Sequence, residues 1–240
     1  MSNLIGRVHS FETFGAVDGP GIRFVIFMQG CSLQCKYCQN RDTWKINAGN
    51  QYSAEELLNK ILKYKNYFLA SGGGVTVSGG EPLLQYKFLI ELFTLLKKEN
   101  IHTAIDTSGN VDLTDDMKKL IDLTDLFLLD IKCINDEICK KLTGVSNKKE
   151  LAFAKYLSSI NKPTWIRQVI VPTITDRTED LLALKDFLST LTNVEKIELL
   201  PYHDLGKSKW IKLGLKYELE NIRVANNNDI EYAKRILGIS

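Results

Sequence analysis

Arg23-Phe-Val-Ile-Phe-Met28 is almost unbroken apolar sequence built from β-branched and aromatic residues, the composition of a parallel strand buried on both faces. Other short β-rich runs follow at Gly74–Ser78, His102–Asp106, Leu126–Ile131, Trp165–Val171 and Lys196–Leu200, and between them apolar residues recur at helical spacing. Ser53 with Glu56 forms a capping box ahead of the stripe Leu57, Leu58, Ile61 and Leu62, with Tyr52 placed to staple onto Leu57. Leu89, Ile90, Leu92, Phe93 and Leu96 make a second stripe, and Met117, Leu120 and Ile121 a third. Asn147 with Glu150 is expected to cap a fourth helix carrying Leu151, Ala154 and Leu157. Thr178 precedes Glu179 and Asp180, acids that the helix dipole favours in a first turn. Alternation of this kind over six β-α units predicts a parallel sheet with right-handed crossovers. Six units are two short of a closed barrel. The expected fold is therefore α/β, a partial, open (β/α)6 TIM-like barrel with a curved parallel sheet, the alternative being a flat doubly wound sheet.

Composition narrows the function classes. In 240 residues, 31 basic side chains stand against 29 acidic ones, a formal charge of +2, which leaves no global footprint for nucleic acid or an acidic membrane. A short cluster such as Asn147-Lys148-Lys149 reads as solvated surface. A chain of this length buries roughly 70–75% of the surface it exposes when unfolded, so a large core needs no disulfide staples. With 44% apolar residues, disorder and fibrous folds are excluded. No linker, repeat or low-complexity tract breaks the pattern, and residues 1–240 are expected to form one domain. The start, Met1-Ser-Asn-Leu-Ile-Gly-Arg-Val-His9, lacks the apolar stretch of a signal peptide, and Phe24 to Met28 is too short to span a bilayer, so the expected compartment is the cytoplasm. Five cysteines, an odd number, argue for reduced thiols rather than a disulfide framework.

In both candidate architectures ligands collect beyond the C-terminal ends of the strands. The unusual polar residues of this chain fall there: Gly30 and a cysteine cluster after the first run, Ser78-Gly79-Gly80-Glu81-Pro82 after the second, and Asp106-Thr107-Ser108-Gly109 after the third. Asp130 and Lys132 follow the fourth, and Tyr202-His203-Asp204 the sixth. The cluster is Cys31-Ser-Leu-Gln-Cys35-Lys-Tyr-Cys38. On one loop this spacing lets three thiolates converge, on structural zinc, in a disulfide plus a free thiol, or on an iron–sulfur cluster. Zinc usually takes four protein ligands, and no fourth Cys or His lies near in sequence. A four-iron cluster held by three cysteines leaves one iron open to a small molecule, whereas an electron-transfer cluster is normally closed by a fourth thiolate.

Cys-x3-Cys-x2-Cys with Tyr37 before the last cysteine resembles the signature of the radical S-adenosylmethionine superfamily. The Gly79-Gly80-Glu81 loop resembles that superfamily's contact to the methionine amine of the cofactor, although a Gly-Gly pair opening a helix is also an ordinary turn. The likeness is narrower than the superfamily. Ile5-Gly-Arg-Val-His-Ser-Phe-Glu12, Val17-Asp-Gly-Pro-Gly-Ile-Arg-Phe24, Cys38-Gln-Asn-Arg-Asp-Thr-Trp44, Ser71-Gly-Gly-Gly-Val-Thr-Val-Ser-Gly-Gly-Glu81 and Val194-Glu-Lys-Ile-Glu-Leu-Leu-Pro-Tyr-His203 are similar to the activating enzymes of glycyl radical enzymes, in particular the pyruvate formate-lyase activating family. Pro82 and Gln39 are mild departures, and the last thirty residues give no clear match. Relatives acting on other glycyl radical enzymes commonly insert a cysteine-rich segment after the signature; residues 39–73 hold no cysteine, so a second cluster there is excluded.

That resemblance implies a [4Fe–4S] cluster on Cys31, Cys35 and Cys38, with S-adenosylmethionine chelated to the open iron and split by one electron to methionine and a 5′-deoxyadenosyl radical. The radical takes hydrogen from a glycine α-carbon of the partner, pyruvate formate-lyase. It implies a flavodoxin or ferredoxin as electron donor, since the step needs the reducing end of the iron–sulfur range, and a monomer. By the same resemblance Tyr37 and Gln39 flank the adenine, and Gly79, Gly80 and Glu81 meet the methionine end. Asp130, Ile131, Lys132, Arg167 and His203 contact the cofactor. Asp106, Thr107 and Asp130 resemble an oxygen-only monovalent-cation site, an alternative being two rim carboxylates paired with Lys132. Asp18 resembles the residue that meets the partner's glycine-loop peptide, though Asp-Gly-Pro-Gly is also a turn sequence. Cys133 and Cys139, off the signature, are expected to be small buried hydrophobes. A radical enzyme acting on a small molecule and a non-catalytic iron–sulfur sensor remain as alternatives.

Overall fold

The structure, a computed structural model, describes residues 4–239; Met1 to Asn3, part of the start read above for a signal peptide, lie outside the described residues. The chain runs through β1 (Gly6–Gly15), β2 (Arg23–Met28), β3 (Asn50–Tyr52), α1 (Ala54–Ile61), α2 (Lys65–Ser71), β4 (Gly74–Gly79), α3 (Tyr86–Lys98), β5 (His102–Thr107) and α4 (Asp115–Leu123). It continues through β6 (Leu126–Asp130), α5 (Asp136–Thr143), α6 (Lys148–Ser159), β7 (Thr164–Ile170), α7 (Thr178–Ser189), β8 (Val194–Pro201), α8 (Lys207–Lys212) and α9 (Asn227–Leu237). The strands are hydrogen-bonded in the order β3-β1-β2-β4-β5-β6-β7-β8, a sheet that is not closed.

All six expected strands form, with ends shifted by a residue at most at β4, β5, β6 and β7 and two at β8. The sheet is mostly parallel and open, as expected, and two further strands extend its edge: β1 pairs antiparallel with β2, and β3 antiparallel with β1. Gly6-Arg-Val-His-Ser-Phe-Glu-Thr-Phe-Gly15 carries large apolar side chains only at Val8, Phe11 and Phe14, with two polar residues between each, and is half-exposed along most of its length. Its pairing with β2 shifts register twice, so no two-residue period survives, and a search for continuous apolar runs passes over it.

Two compact units are present. The first comprises Met1–Ser32, Thr43–Thr107 and Val111–Leu128. Within it β2 pairs in parallel with β4, and β4 with β5. Phe24, Val25, Ile26 and Met28 are buried, as their apolar run requires. Arg23, at the start of β2, is fully buried as well. Its Nε donates to Thr76 Oγ1 at 2.9 Å, its Nη2 to the Val75 carbonyl, and its Nη1 lies 3.2 Å from His102 Nδ1. Burial, followed by the neighbouring Arg23 charge, pushes the His102 pKa down to about 4. The capping box of α1 is present: Ser53 Oγ accepts from Glu56 N at 3.1 Å and Glu56 Oε2 from Ser53 N at 2.8 Å. Leu89, Leu92, Phe93 and Leu96 of α3 are fully buried, each side chain contributing about 1.5–3 kcal/mol relative to exposure.

The second unit comprises Leu33–Asp42, Ser108–Asn110 and Leu129–Ser240. Its strands β7 and β8 pair in parallel. Asn147 precedes α6 as expected but does not cap it. Its Nδ2 donates instead to the carbonyls of Cys133 (2.9 Å) and Ile134 (2.7 Å), while Glu150 Oε1 accepts from Lys132 N at 2.9 Å. The polar pair that sequence assigned to one helix end is used to fix the segment after β6. Glu179 and Asp180 do occupy the first turn of α7, with Arg177 at its N-cap. Burial pushes the thiols of Cys133 and Cys139 up to about 12 and about 11, which suits inert packing residues. Among the described residues no helix is long and apolar enough to cross a membrane.

Candidate functional site

In the first unit, the loops after β2 and β4 are stitched together just beyond the ladder. Gly80 N donates to Met28 O (3.0 Å), Glu81 N to Gly30 O (2.8 Å), Gly30 N to Thr43 O (2.6 Å) and Cys31 N to Trp44 O (3.3 Å). Gly79 has φ of +110°, and a Cβ on Gly80 would lie 2.1 Å from the Gly30 carbonyl oxygen and 3.3 Å from Cys31 Cβ. Only residues without side chains let the two loops approach this closely. Glu81 is buried and caps the 3₁₀ turn Pro82–Gln85, accepting from Leu83 N at 3.1 Å; its Oε1 also accepts from Thr107 Oγ1 at 2.6 Å. Ser78 Oγ donates to Asp106 Oδ2 at 2.7 Å. The polar residues closing β4 and β5 are thus bonded to one another. Asp18 lies elsewhere, in the β1–β2 hairpin at the N-terminal end of β2, while Cys31 follows the C-terminal end of that strand. The Asp18 carbonyl accepts from Thr76 Oγ1 at 2.6 Å, which ties the hairpin to the buried Arg23.

In the second unit, the segment carrying Cys35 and Cys38 is held by backbone bonds to the end of α5: Gln34 N donates to Thr143 O (2.7 Å) and Lys36 N to Leu142 O (2.9 Å). Cys38 N closes a turn onto Cys35 O at 2.9 Å. Tyr37 is buried with its hydroxyl lacking a hydrogen-bond partner among the described residues, and burial pushes its pKa well above the ordinary tyrosine value. Lys132 Nζ pairs with Asp130 Oδ2 at 2.6 Å. Burial alone would lower the lysine pKa, but Asp130, Tyr37 and Cys35 together outweigh it and the ammonium is held well above its usual range. Ile131 is buried, its N–H donating to Arg167 O at 2.8 Å. Arg167 is itself paired across the ladder with Glu198, Nε to Oε2 at 2.9 Å. His203 is exposed, and its carbonyl accepts from Gln39 Nε2 at 2.8 Å.

Comparison with known proteins follows the same residues. Residues 25–184 match the Radical SAM superfamily. The chain is 49% identical to the pyruvate formate-lyase-activating enzyme of Listeria monocytogenes over 100% of this chain and 99% of that one. It is 48% identical to the pyruvate formate-lyase 1-activating enzyme of Escherichia coli K12, over 98% and 96% of the two chains. The chain belongs to the radical SAM superfamily, among its pyruvate formate-lyase-activating enzymes. Of solved structures, a domain of the pyruvate formate-lyase-activating enzyme from Bacteroides vulgatus matches with a TM-score of 0.58 at 23% identity, over 69% of this chain and 93% of that one. Streptococcus suis SuiB bound to its precursor peptide SuiA matches with a TM-score of 0.67 at 19% identity, over 89% and 45%. At that distance the likeness is one of fold.

Membership of the radical SAM superfamily implies a [4Fe–4S] cluster and S-adenosylmethionine. The residues present fit both: three thiols within one short segment are soft ligands suited to iron, and the Gly79–Gly80 cradle and the orphaned Tyr37 hydroxyl are groups that a bound ligand would use. Among the described residues, no group of three or more His, Cys, Asp and Glu side chains is drawn together around a single ion position. Sequence reading missed Gly206 and Trp210. A Cβ on Gly206 would lie 2.9 Å from the Cys38 carbonyl oxygen, and Trp210 Nε1 donates to that same oxygen at 3.1 Å. Gly206 closely follows the Tyr202-His203-Asp204 cluster, but a side chain reaching a distant backbone carbonyl leaves no periodic signal.

Proposed function

We propose that this chain activates pyruvate formate-lyase by placing a radical on one of its glycines, and that residues 1–240 act as one radical SAM domain in the cytoplasm. The cluster and S-adenosylmethionine, when bound, supply one-electron cleavage to methionine and a 5′-deoxyadenosyl radical that removes hydrogen from a glycine α-carbon. The protein's share is ligation, positioning and exclusion of water. Cys31, Cys35 and Cys38 are the iron ligands. Backbone at Gly79, Gly80 and Glu81 meets the methionine end, and Tyr37 and Gln39 the adenine side. Asp130, Ile131, Lys132 and His203 supply further contacts, with Lys132 a permanent cation for an anionic or hydroxyl oxygen. Arg167, already balanced by Glu198, is the lesser candidate. Asp106, Thr107 and Asp130 offer the oxygen ligands that hard cations prefer, and form the proposed monovalent-cation set. Asp18 is the proposed contact to the lyase peptide. The protein works as a monomer with a flavodoxin or ferredoxin donor.

The observation that carries this reading is identity near one half over essentially the full length of curated activating enzymes, with the three-cysteine segment intact. The test is anaerobic: reconstitute the cluster, add S-adenosylmethionine, reductant and pyruvate formate-lyase, and record the electron spin resonance spectrum. A glycine-centred radical is expected. Formation of 5′-deoxyadenosine without a glycyl signal from any such lyase would favour a small-molecule substrate, and a cluster whose spectrum ignores S-adenosylmethionine would favour a sensor.

A further inference from the structure

The Cys38 carbonyl and the side chains just beyond it are gripped by a segment 164 to 172 residues further along the chain. Trp210 is 4% exposed, and its indole N–H donates to the Cys38 carbonyl at 3.1 Å. Its ring is fixed on two sides: the Arg41 guanidinium sits 5.2 Å from its centroid, and Tyr217 meets it edge-on at 5.7 Å and 77°. Tyr217 is anchored in turn, its hydroxyl 2.9 Å from that of Tyr202. Lys209 Nζ reaches Asp42 at 3.1 Å and Asn40 at 3.4 Å, while Gln39 Nε2 donates to the His203 carbonyl at 2.8 Å. Gly206 packs against the same strip so tightly that a Cβ would stand 2.9 Å from both Cys38 O and Gln39 Oε1.

We propose that Trp210 is a positioning residue for the iron–sulfur cluster, fixing the Cys38 corner through the Cys38 carbonyl. This rests on the reading of Cys38 as an iron ligand. Cys38 lies in a turn, outside any helix or strand. Its N–H is fixed by Cys35 O and its C=O by the indole. With both peptide planes held, the Cα–Cβ direction is set, and the thiolate is left only its staggered χ1 positions about that fixed bond. Outer partners of this kind orient ligands and tune the centre they hold. Arg41 and Tyr217 keep the indole from turning away, so the N–H is preorganised before iron arrives.

The test uses full-length protein, reconstituted without oxygen, as wild type, Trp210→Phe, Gly206→Ala and Cys38→Ala. Iron release to a ferrous chelator, the electron spin resonance spectrum of the reduced cluster without S-adenosylmethionine, and apoprotein melting are recorded for each. Trp210→Phe keeps an aromatic ring between Arg41 and Tyr217 but removes the donor and leaves the buried space of one ring unfilled. Its apoprotein is expected to melt modestly below wild type and, compared at an equal interval below each protein's own Tm, to release iron about 3- to 10-fold faster, the factor one lost hydrogen bond supports, with shifted g values. Gly206→Ala, pressing on the same carbonyl from its other neighbour, is expected to shift the spectrum likewise. Wild-type release and spectrum in both variants would overturn the proposal, as would a melting loss in both that accounts for all the iron loss. Cys38→Ala separates the two levels. If it keeps a complete cluster, the ligand reading itself fails; if it loses the cluster while both other variants behave as wild type, the positioning role alone fails.

Discussion

Gly80→Ala inserts one methyl group into the narrowest part of the cradle between the loops after β2 and β4. The new Cβ would stand 2.1 Å from the Gly30 carbonyl oxygen, so the two backbones must part by roughly 1 Å to regain ordinary contact. They are joined by Gly80 N to Met28 O at 3.0 Å, Glu81 N to Gly30 O at 2.8 Å and Gly30 N to Thr43 O at 2.6 Å. Breaking one or two of these costs about 0.5–1.5 kcal/mol each, and overpacking adds about 1–3 kcal/mol. Together these give about 1.5–6 kcal/mol, which in a chain of this size lowers Tm by about 3–24 °C. Gly72→Ala is the matched contrast. Gly72 ends α2 at φ +68°, and a methyl group there would meet nothing within 4 Å, so it bears only the left-handed backbone cost, about 1–2 kcal/mol. Scanning calorimetry of both apoproteins, followed by iron counting after anaerobic reconstitution, measures the difference. Gly80→Ala should melt below Gly72→Ala and take up less iron, because Cys31 moves with Gly30. Equal melting of the two variants, or wild-type melting and iron content in Gly80→Ala, would refute the steric argument.

Three further outcomes are expected. Thr107→Val preserves volume but removes the 2.6 Å donor to the buried Glu81 carboxylate, costing about 1.5–3 kcal/mol; a urea midpoint unchanged from wild type would contradict this. His102 keeps its neutral form down to about pH 4 in the folded chain, against an ordinary value of 6.5. Between those values the unfolded chain binds the extra proton, so stability is full above pH 6.5 and falls as pH drops toward 4. His102→Gln should flatten that slope in urea unfolding at about pH 7.5 and about pH 5, either side of the ordinary histidine range, and identical slopes in the two proteins would count against it. Cys35→Ala should abolish the cluster absorbance and bound iron, and an intact four-iron species in that variant would overturn the ligand assignment.

Much of the framework is legible because its physics is local. Apolar, β-branched runs marked β2, β4, β5, β6 and β7, whose residues are mostly buried, whereas β8, exposed or half-exposed throughout, was marked by its place in the β-α alternation. The Ser53–Glu56 cap is written in adjacent residues and is present as expected. β1 escaped because its large apolar residues, Val8, Phe11 and Phe14, stand three apart, and its pairing with β2 is interrupted by irregularities. Asn147 and Glu150 show why capping signals mislead: the same groups satisfy the chain after β6, and spacing alone does not reveal which orphan backbone groups lie nearest. At the candidate site, the strand-end motifs are legible as clusters of unusual residues. The grip of Trp210 on Cys38 joins segments far apart in sequence. So does the buried Arg23, whose hydrogen-bonded charge reads from sequence as no more than the first residue of an apolar run.

The antiparallel hairpin has a practical consequence for anyone shortening this protein. β1 occupies the side of β2 that β4 leaves bare, and the strand beyond it, β3, is only three residues long. Removing the first fifteen residues would uncover a flat, greasy ribbon with a full row of unanswered amides, a ready template for a second copy. A truncated protein should therefore clump as it is made, for reasons unconnected with iron or catalysis.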